Sequence, residues 1–320
     1  MTWMVTGGAG YIGAHVVRAL LDSELQAVVV DDLSSGHREF VPTGVPFVHG
    51  SILDGSLLLR AMDEHHVTGV IHVAGFKYAG VSVRQPLHTY EQNVDGTTIL
   101  LGTMQDRGIG QIVFSSSAAV YGTPDVDLVT ETTPKAPESP YGESKLIGEW
   151  LLRDQEIATG LRHTSLRYFN VVGSGDPALY DSSPHNLFPL VLTALLDGRT
   201  PRINGTDYPT PDGTNVRDYV DVADIALAHA AAARRLDAGE PLEAAYNLGS
   251  GTGVSVAEIM TAIARVTGIA FTPEPGPRRP GDPPRIVASG ERAARDLEWR
   301  MRHTLDEMVA SAWDAVALRR

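Results

Sequence analysis

The sequence predicts an α/β protein: a Rossmann-type doubly wound parallel sheet followed by a smaller α/β C-terminal lobe. Three observations carry that expectation. Apolar runs alternate with helical patterns through residues 1–170, the order that builds a parallel sheet. The runs are continuously apolar, as in strands buried on both faces. The first two runs bracket a glycine-rich turn and an amphipathic helix, and the second run ends in acids.

Taken in order, Trp3–Thr6 reads as a strand that ends in Gly7-Gly-Ala-Gly10-Tyr-Ile-Gly13. A helix follows, with Ile12, Val16, Val17, Leu20 and Leu21 as its apolar stripe. Ala27–Val30 is the next strand, closed by Asp31 and Asp32. Gly7, Gly10 and Gly13 allow a tight turn and let the backbone approach a pyrophosphate. The helix start turns free N–H groups and a positive dipole end toward that anion. Asp31, some twenty residues on, can accept from ribose hydroxyls, so this stretch predicts dinucleotide binding. The second charge at Asp32 favours NAD over NADP, because a 2′-phosphate would meet like charge.

The alternation continues with a strand at Val45–His49, a helix at Asp54–His65 and a strand at Gly69–Val73 that runs into Ala74-Gly75-Phe76-Lys77. One long helix is expected over Val83–Arg107. Gln111–Phe114 is a strand leading into Ser115-Ser-Ser117, and a helix that opens near Ser139 reaches Ala158. His163–Tyr168 completes the series. Ligands in such sheets bind at the C-terminal strand ends, which here carry Gly75, Lys77, Ser117, Phe169 and Asn170.

After Asn170 the texture changes. Residues 171–215 are rich in Pro, Gly, Asp and Ser, with one helix at Leu187–Leu196. Val222–Ala233 reads as a helix, Ala245–Leu248 as a strand, and Ser255 as the N-cap of a helix to Val266. A proline- and glycine-rich stretch at 271–284 holds Arg278 and Arg279, and a last amphipathic helix spans Thr304–Ala317. The expected division is a dinucleotide-binding domain over 1–170 and a mainly substrate-binding domain over 171–320. Segments around 216–250 are expected to return to the sheet.

Composition narrows the function classes. The 320 residues carry a formal net charge of -13, which disfavours a nucleic-acid or anionic-membrane partner. The chain has no cysteine, which removes disulfides, thiolate nucleophiles and thiolate-held metals. No His-Glu-x-x-His pattern is present, and no metal site is expected. With no basic n-region before Trp3 and no membrane-length apolar run, a cytoplasmic protein is expected.

Chemistry is suggested by Ser139-Pro-Tyr141-Gly-Glu-Ser-Lys145. Tyr141 and Lys145 stand four residues apart on one helix face. A tyrosine ordinarily titrates near ~10, too high for a base at neutral pH. A cation beside it favours the phenolate and makes it a proton acceptor.

These motifs together resemble the extended short-chain dehydrogenase/reductase family over essentially the whole chain. The resemblance rests on Gly7–Gly13, Ser115-Ser-Ser-Ala-Ala-Val-Tyr-Gly122, Ser139–Lys145, Leu166-Arg-Tyr-Phe-Asn170 and Arg217-Asp-Tyr219. Asp207-Tyr-Pro-Thr-Pro-Asp-Gly-Thr214 and Arg278-Arg-Pro-Gly-Asp282 narrow it to the nucleotide-sugar 4-epimerases. That resemblance implies tightly bound NAD and the interconversion of UDP-glucose and UDP-galactose by transient oxidation at C4. Tyr141 would be the base, Lys145 would lower its pKa and hold the nicotinamide ribose, and Ser117 would hydrogen-bond the reacting oxygen. Tyr11, Ile12, Asp31, Asp32, Ile52, Phe76, Lys77, Asn93 and Phe169 would line NAD, although Asn93 also fits a helix cap. Asn170, Asn186, Leu187, Arg217, Tyr219, Arg279 and Asp282 would hold the UDP-sugar. By the same analogy a homodimer is expected, through the Val83–Arg107 and Pro140–Ala158 helices.

Five positions depart from the pattern or extend it. Ser51 stands where the family usually has an aspartate near adenine; its hydroxyl can still accept a hydrogen bond. Val81 replaces a frequent glutamate, and the lost charge would admit an acidic sugar. Ile286 falls where tolerance of N-acetylated sugars is set. Arg202 and Arg285 are extra cations that could meet a uronic-acid carboxylate. The alternatives are therefore a UDP-glucuronate (or other UDP-sugar) 4-epimerase, a sugar-nucleotide 4,6-dehydratase and a non-catalytic NAD-binding sensor. The dehydratase needs acid and base groups where this chain has Ala118 and Ala119.

Overall fold

The computed structural model of the chain describes residues 1–278 and 282–319. Strands β1 (Thr2–Thr6), β2 (Gln26–Asp31), β3 (Phe47–His49), β4 (Gly69–His72), β5 (Gln111–Ser117) and β6 (Arg162–Tyr168) belong to one sheet. Short strands β7 (Asn170–Val172), β8 (Arg202–Asn204), β9 (Val216–Arg217) and β10 (Tyr219–Asp221) follow, and β11 (Ala245–Leu248) returns to that sheet. The order is β11-β6-β5-β4-β1-β2-β3, with every neighbouring pair parallel. The chain reverses its direction of winding between β1 and β4, which opens a crevice at their C-terminal ends.

Alternation along the strands builds two cores. Trp3, Val5, Val29, Ile71 and Val113 face α1 (Tyr11–Asp22) and the later helix at 222–237. Met4, Val28, Val30, Val70, Ile112 and Phe114 face α2 (Gly55–Glu64) and the helical layer that follows it. Successive strand residues point to opposite faces, so an unbroken apolar run serves both layers.

The expected single helix over Val83–Arg107 is instead a series. A short α3 (Ala79–Ser82) is followed by α4 (Pro86–Tyr90), a π-helical turn at Glu91–Asp95 and α5 (Gly96–Asp106). Pro86 has no N–H to donate and sits at a helix start, so the helix begins there rather than at Val83. The π turn rotates Asn93 inward. Its Oδ1 accepts from Phe76 N at 2.6 Å, and its Nδ2 donates to Phe76 O at 3.0 Å and to Ser144 Oγ at 2.8 Å. Asn93 is therefore not a helix cap; it holds the rim segment after β4.

Helix α6 (Pro140–Thr159) carries Tyr141 and Lys145. Ser139 caps it by accepting from Gly142 N at 3.2 Å, and Pro140 occupies the first turn. Its close seat on β5 depends on Gly148, where an added Cβ would lie 2.6 Å from the Phe114 ring. A buried ion pair locks the same junction: Arg167 on β6 binds both carboxylate oxygens of Glu149, which also accepts from Ser116 Oγ at 2.6 Å. Such a pair adds little net stability once desolvation is counted, but it fixes geometry.

The C-terminal lobe gathers α7 (Leu187–Leu196) with two later helices. Helix α8 (Val222–Asp237) lies on the main sheet instead, beside α1. Strand β12 (Val254–Ser255) leads into α9 (Val256–Thr267), whose capping box joins Ser255 and Glu258. Strands β13 (Glu274–Gly276) and β14 (Arg285–Ile286), then α10 (Glu291–Asp296) and α11 (Leu305–Ala317), complete the chain. A third core packs Phe188, Val191 and Leu192 of α7 against Ile259 and Ile263 of α9 and Met308 and Val309 of α11. Among the described residues, no helix is long and apolar enough to cross a membrane.

Candidate active site

A cavity of about 670 Å³ opens at the switch point and runs between the sheet and the C-terminal lobe. Its first end is built by the β1–α1 turn. Gly7 has φ +72, and an added Cβ at Gly13 would lie 2.1 Å from Gly7 O. The backbone is thus folded so tightly that only glycine fits, which leaves the start of α1 bare for an anion. Asp31 is buried at the end of β2. Its Oδ2 accepts from Ala9 N at 2.9 Å and its Oδ1 from Leu33 N at 2.8 Å. Burial raises its pKa, and the two backbone bonds pull it back down. Asp32 borders the same end. A cradle without side chains at a helix start, followed by fixed carboxylates, fits the pyrophosphate and ribose of a dinucleotide.

The middle of the cavity holds the reactive groups. Ser117, Tyr141 and Lys145 all line it. Burial raises the pKa of the Tyr141 phenol, and the neighbouring Ser117 hydroxyl lowers it in part. Lys145 is 5% exposed, and burial lowers its pKa to about 8. Its Nζ donates to Ser115 O at 2.8 Å and stands 6.0 Å from the centre of the Tyr141 ring. The expectation that the ammonium itself pulls the phenol down is therefore not met in this state. Loss of solvation dominates both groups, and the lysine is anchored to the β5 backbone. The Ser117 hydroxyl is the polar group that offsets burial at the phenol.

The far end lies in the lobe. Asn186, at the start of α7, lines the cavity beside Leu187 and donates to Asp181 Oδ2 at 2.7 Å. Arg217 and Asp282 also line it and are paired with each other through Arg217 Nη2 and Asp282 Oδ1. Asn215 Nδ2 donates to the other Asp282 oxygen at 2.8 Å. A guanidinium and a carboxylate thus stand side by side in the part of the cavity away from the glycine turn.

Most residues singled out in the sequence converge on this cavity. Gly7, Gly10, Tyr11, Ile12, Gly13, Asp31, Asp32, Ile52, Phe76, Lys77, Phe169, Asn170 and Tyr219 border it alongside those just described. Ser51 and Asn93 do not. The Ser51 hydroxyl accepts from Leu53 N at 3.2 Å, and Asn93 acts on the cavity through the Phe76 backbone. Arg279 lies outside the described residues. Of the selectivity positions, Arg202 borders the cavity, whereas Val81, Arg285 and Ile286 do not. Ile286 is buried among Val120, Tyr121, Leu146 and Phe169. Sequence reasoning missed Tyr78, Tyr180, Asp181, His185 and Asn204 as lining residues. All five sit in irregular segments or short strands, where periodicity gives no signal.

Comparison with known proteins bears on what this cavity holds. Residues 3–249 match the model of the NAD dependent epimerase/dehydratase family. A UDP-glucose 4-epimerase from Azospirillum brasilense is 45% identical over 315 residues, covering 97% of this chain and 90% of that protein. A solved UDP-glucose 4-epimerase from Brucella ovis in complex with NAD superposes with a TM-score of 0.93 at 38% identity, covering 98% of this chain and 97% of that one. Another, from Stenotrophomonas maltophila, with bound NAD and formylated UDP-arabinopyranose, gives a TM-score of 0.94 at 38% identity, covering 100% of this chain and 99% of that one.

Proposed function

The chain belongs to the NAD-dependent epimerase/dehydratase family, and from that premise we propose that it interconverts UDP-glucose and UDP-galactose with NAD held throughout. The single observation that carries this reading is the joint lining of one cavity by a dinucleotide cradle, by Ser117, Tyr141 and Lys145, and by the Arg217–Asp282 pair. Its three parts match a cofactor, a sugar hydroxyl and a nucleoside diphosphate in sequence.

The chemistry requires that order. A carbinol carbon has no acidic proton, so a base alone cannot invert it. NAD supplies a reversible hydride acceptor for C4, and the protein does the rest. Tyr141 takes the proton of the 4-hydroxyl as that carbon is oxidised and returns it on reduction. Ser117 donates to the same oxygen and fixes it next to the phenol. Lys145, set on the Ser115 carbonyl, keeps a cation within reach of the phenolate as it forms. Arg217 grips the diphosphate with a forked donor set and Asp282 accepts from the uridine ribose, so the pair must open or share its contacts when substrate enters. The 4-keto sugar, held only through its nucleotide, turns and presents its other face. Ala118 and Ala119 carry no acid or base, so the site favours epimerisation over dehydration.

Arg202 borders the cavity and gives a UDP-glucuronate epimerase its one supporting observation. A substrate panel followed by NMR separates the readings. UDP-galactose is expected to yield UDP-glucose with no NAD added. Turnover of UDP-glucuronate alone would reassign the sugar, release of a 4-keto-6-deoxy sugar would assign a dehydratase, and NAD binding without any turnover would assign a sensor.

The protein acts as a homodimer in this reading. Leu87 on α4 and Trp150 and Ile157 on α6 are exposed at 82%, 48% and 78%, an apolar surface along the two helical segments expected to pair. Light scattering is expected to return twice the chain mass; a monomer at micromolar concentration would contradict it. A cysteine-free composition suits a reducing cytoplasm.

A further inference from the structure

The segment from Gly173 to Asn186 has no regular structure before α7, yet it is among the most heavily anchored parts of the chain. Tyr11, His15 and Arg18 stand four and three residues apart, on one face of α1. Each holds one point of the segment, in order. Tyr11 OH donates to Gly173 O at 2.6 Å. Gly175 N donates to His15 Nε2 at 3.0 Å. Arg18 Nε binds Asp176 Oδ2 at 2.7 Å while its Nη1 donates to Phe40 O at 2.8 Å. The His15 tautomer is fixed, because Nδ1 faces the Tyr11 carbonyl at 2.8 Å and must carry the proton there. Burial lowers its pKa to about 4, so Nε2 remains an acceptor at neutral pH.

Beyond these anchors the segment crosses to the other side of the cofactor end. Leu179 is fully buried with Ala14 and Phe40. The Tyr180 ring packs edge-on against Phe40 at 5.1 Å, lies 5.2 Å from His37, and carries the Arg319 guanidinium 3.2 Å above its centre. Ser182 Oγ reaches His37 Nε2 at 3.2 Å. His37 and Phe40 belong to the loop that leaves Asp31 and Asp32. The segment therefore joins α1, which meets the pyrophosphate, to the loop that follows the ribose acids. Its inner side, at Gly173, Tyr180, Asp181 and His185, lines the cavity.

We propose that Gly173–Asn186 is a strap that retains bound NAD, and that Arg18, His15 and Tyr180 are positioning residues that set how long the cofactor stays. The inference rests on the NAD reading above. A cofactor that returns its electrons to the molecule that supplied them gains nothing by leaving between turnovers. The strap spans the cradle from edge to edge, so release requires one set of anchors to open. Helix α7 and Asn186 follow directly, which joins cofactor retention to the wall of the sugar site.

The test uses full-length protein loaded with labelled NAD, diluted, and followed by rapid filtration. Arg18→Ala and Tyr180→Ala act at opposite ends of the strap, and both residues are partly exposed. Each is expected to release NAD at least tenfold faster than the parent chain, and each should lose turnover on dilution and regain it with added NAD. Tyr180→Phe keeps the ring stack and is expected to keep most of the slow release. Release at the parent rate in both alanine variants, with an unchanged thermal midpoint, would overturn the strap. A parent chain that holds no NAD would instead refute the cofactor reading, and the strap with it.

Discussion

Tyr141→Phe is expected to lower turnover of UDP-galactose by about 10²–10⁴-fold while NAD remains bound. The substitution removes one oxygen and leaves the ring in place. That oxygen shares the cavity with the Ser117 hydroxyl, which lowers its pKa in part. The described side chains that flank it are poor substitutes as base. Lys145 is buried and committed to the Ser115 carbonyl at 2.8 Å, and Ser117 is a poor base unless the phenol takes its proton in turn. Tyr168 lines the same wall, but burial and the neighbouring Tyr141 raise its pKa strongly, which disfavours its ionised form. The backbone at Tyr141 is held separately, by its N–H to Ser82 Oγ at 3.2 Å, so the helix start survives the change. Stopped activity with parental NAD content and an unchanged melting curve is the expected combination. A rate within a few-fold of the parent would remove the tyrosine from the mechanism.

The second large effect falls on the cofactor. In Gly13→Ala the added Cβ would lie 2.1 Å from Gly7 O and 2.8 Å from Gly8 Cα, both backbone atoms that no rotamer change can relieve. The turn must open, and overpacking of this kind costs about 1–3 kcal/mol. The cost falls on the cradle itself rather than on the sheet, whose strands β1 and β2 are paired over five positions. NAD affinity is expected to drop by about 10- to 100-fold, read by calorimetry on protein stripped of cofactor, with the far-ultraviolet spectrum unchanged. Undiminished affinity would show that the glycine turn does not meet the cofactor.

The first half of this architecture was legible because its signals are local. A strand, a glycine turn, a helix and an acid lie within Trp3–Asp32, and each step constrains the next. Ser139, Pro140 and the Tyr141–Lys145 spacing announced a helix start by the same kind of short-range rule. What stayed hidden depends on contacts between distant segments. The partner of Lys145 is a carbonyl thirty residues earlier in sequence, on β5. Arg217 and Asp282 are separated by 65 residues and were each read as ligands for substrate, not as partners of one another. The helix expected over Val83–Arg107 failed at Pro86 and at the π turn, where helical periodicity is carried through a change of hydrogen-bond register that composition does not mark. The Gly173–Asn186 strap is dominated by glycine, serine, aspartate and proline, and its few apolar and aromatic residues follow no helical or strand period. Two of its anchors, His15 and Arg18, lie on α1 beyond its anion-facing first turn, where the sequence pattern marks only the apolar stripe.

In the proposed reaction this chain oxidises C4 and restores the same hydride with a cofactor it does not release. The most direct measurement is turnover of UDP-galactose carrying deuterium at C4, in ordinary water, by purified protein with no NAD added. The expected product is UDP-glucose that retains the deuterium at C4. Product with hydrogen at C4, or no product until NAD is supplied in excess, would contradict it.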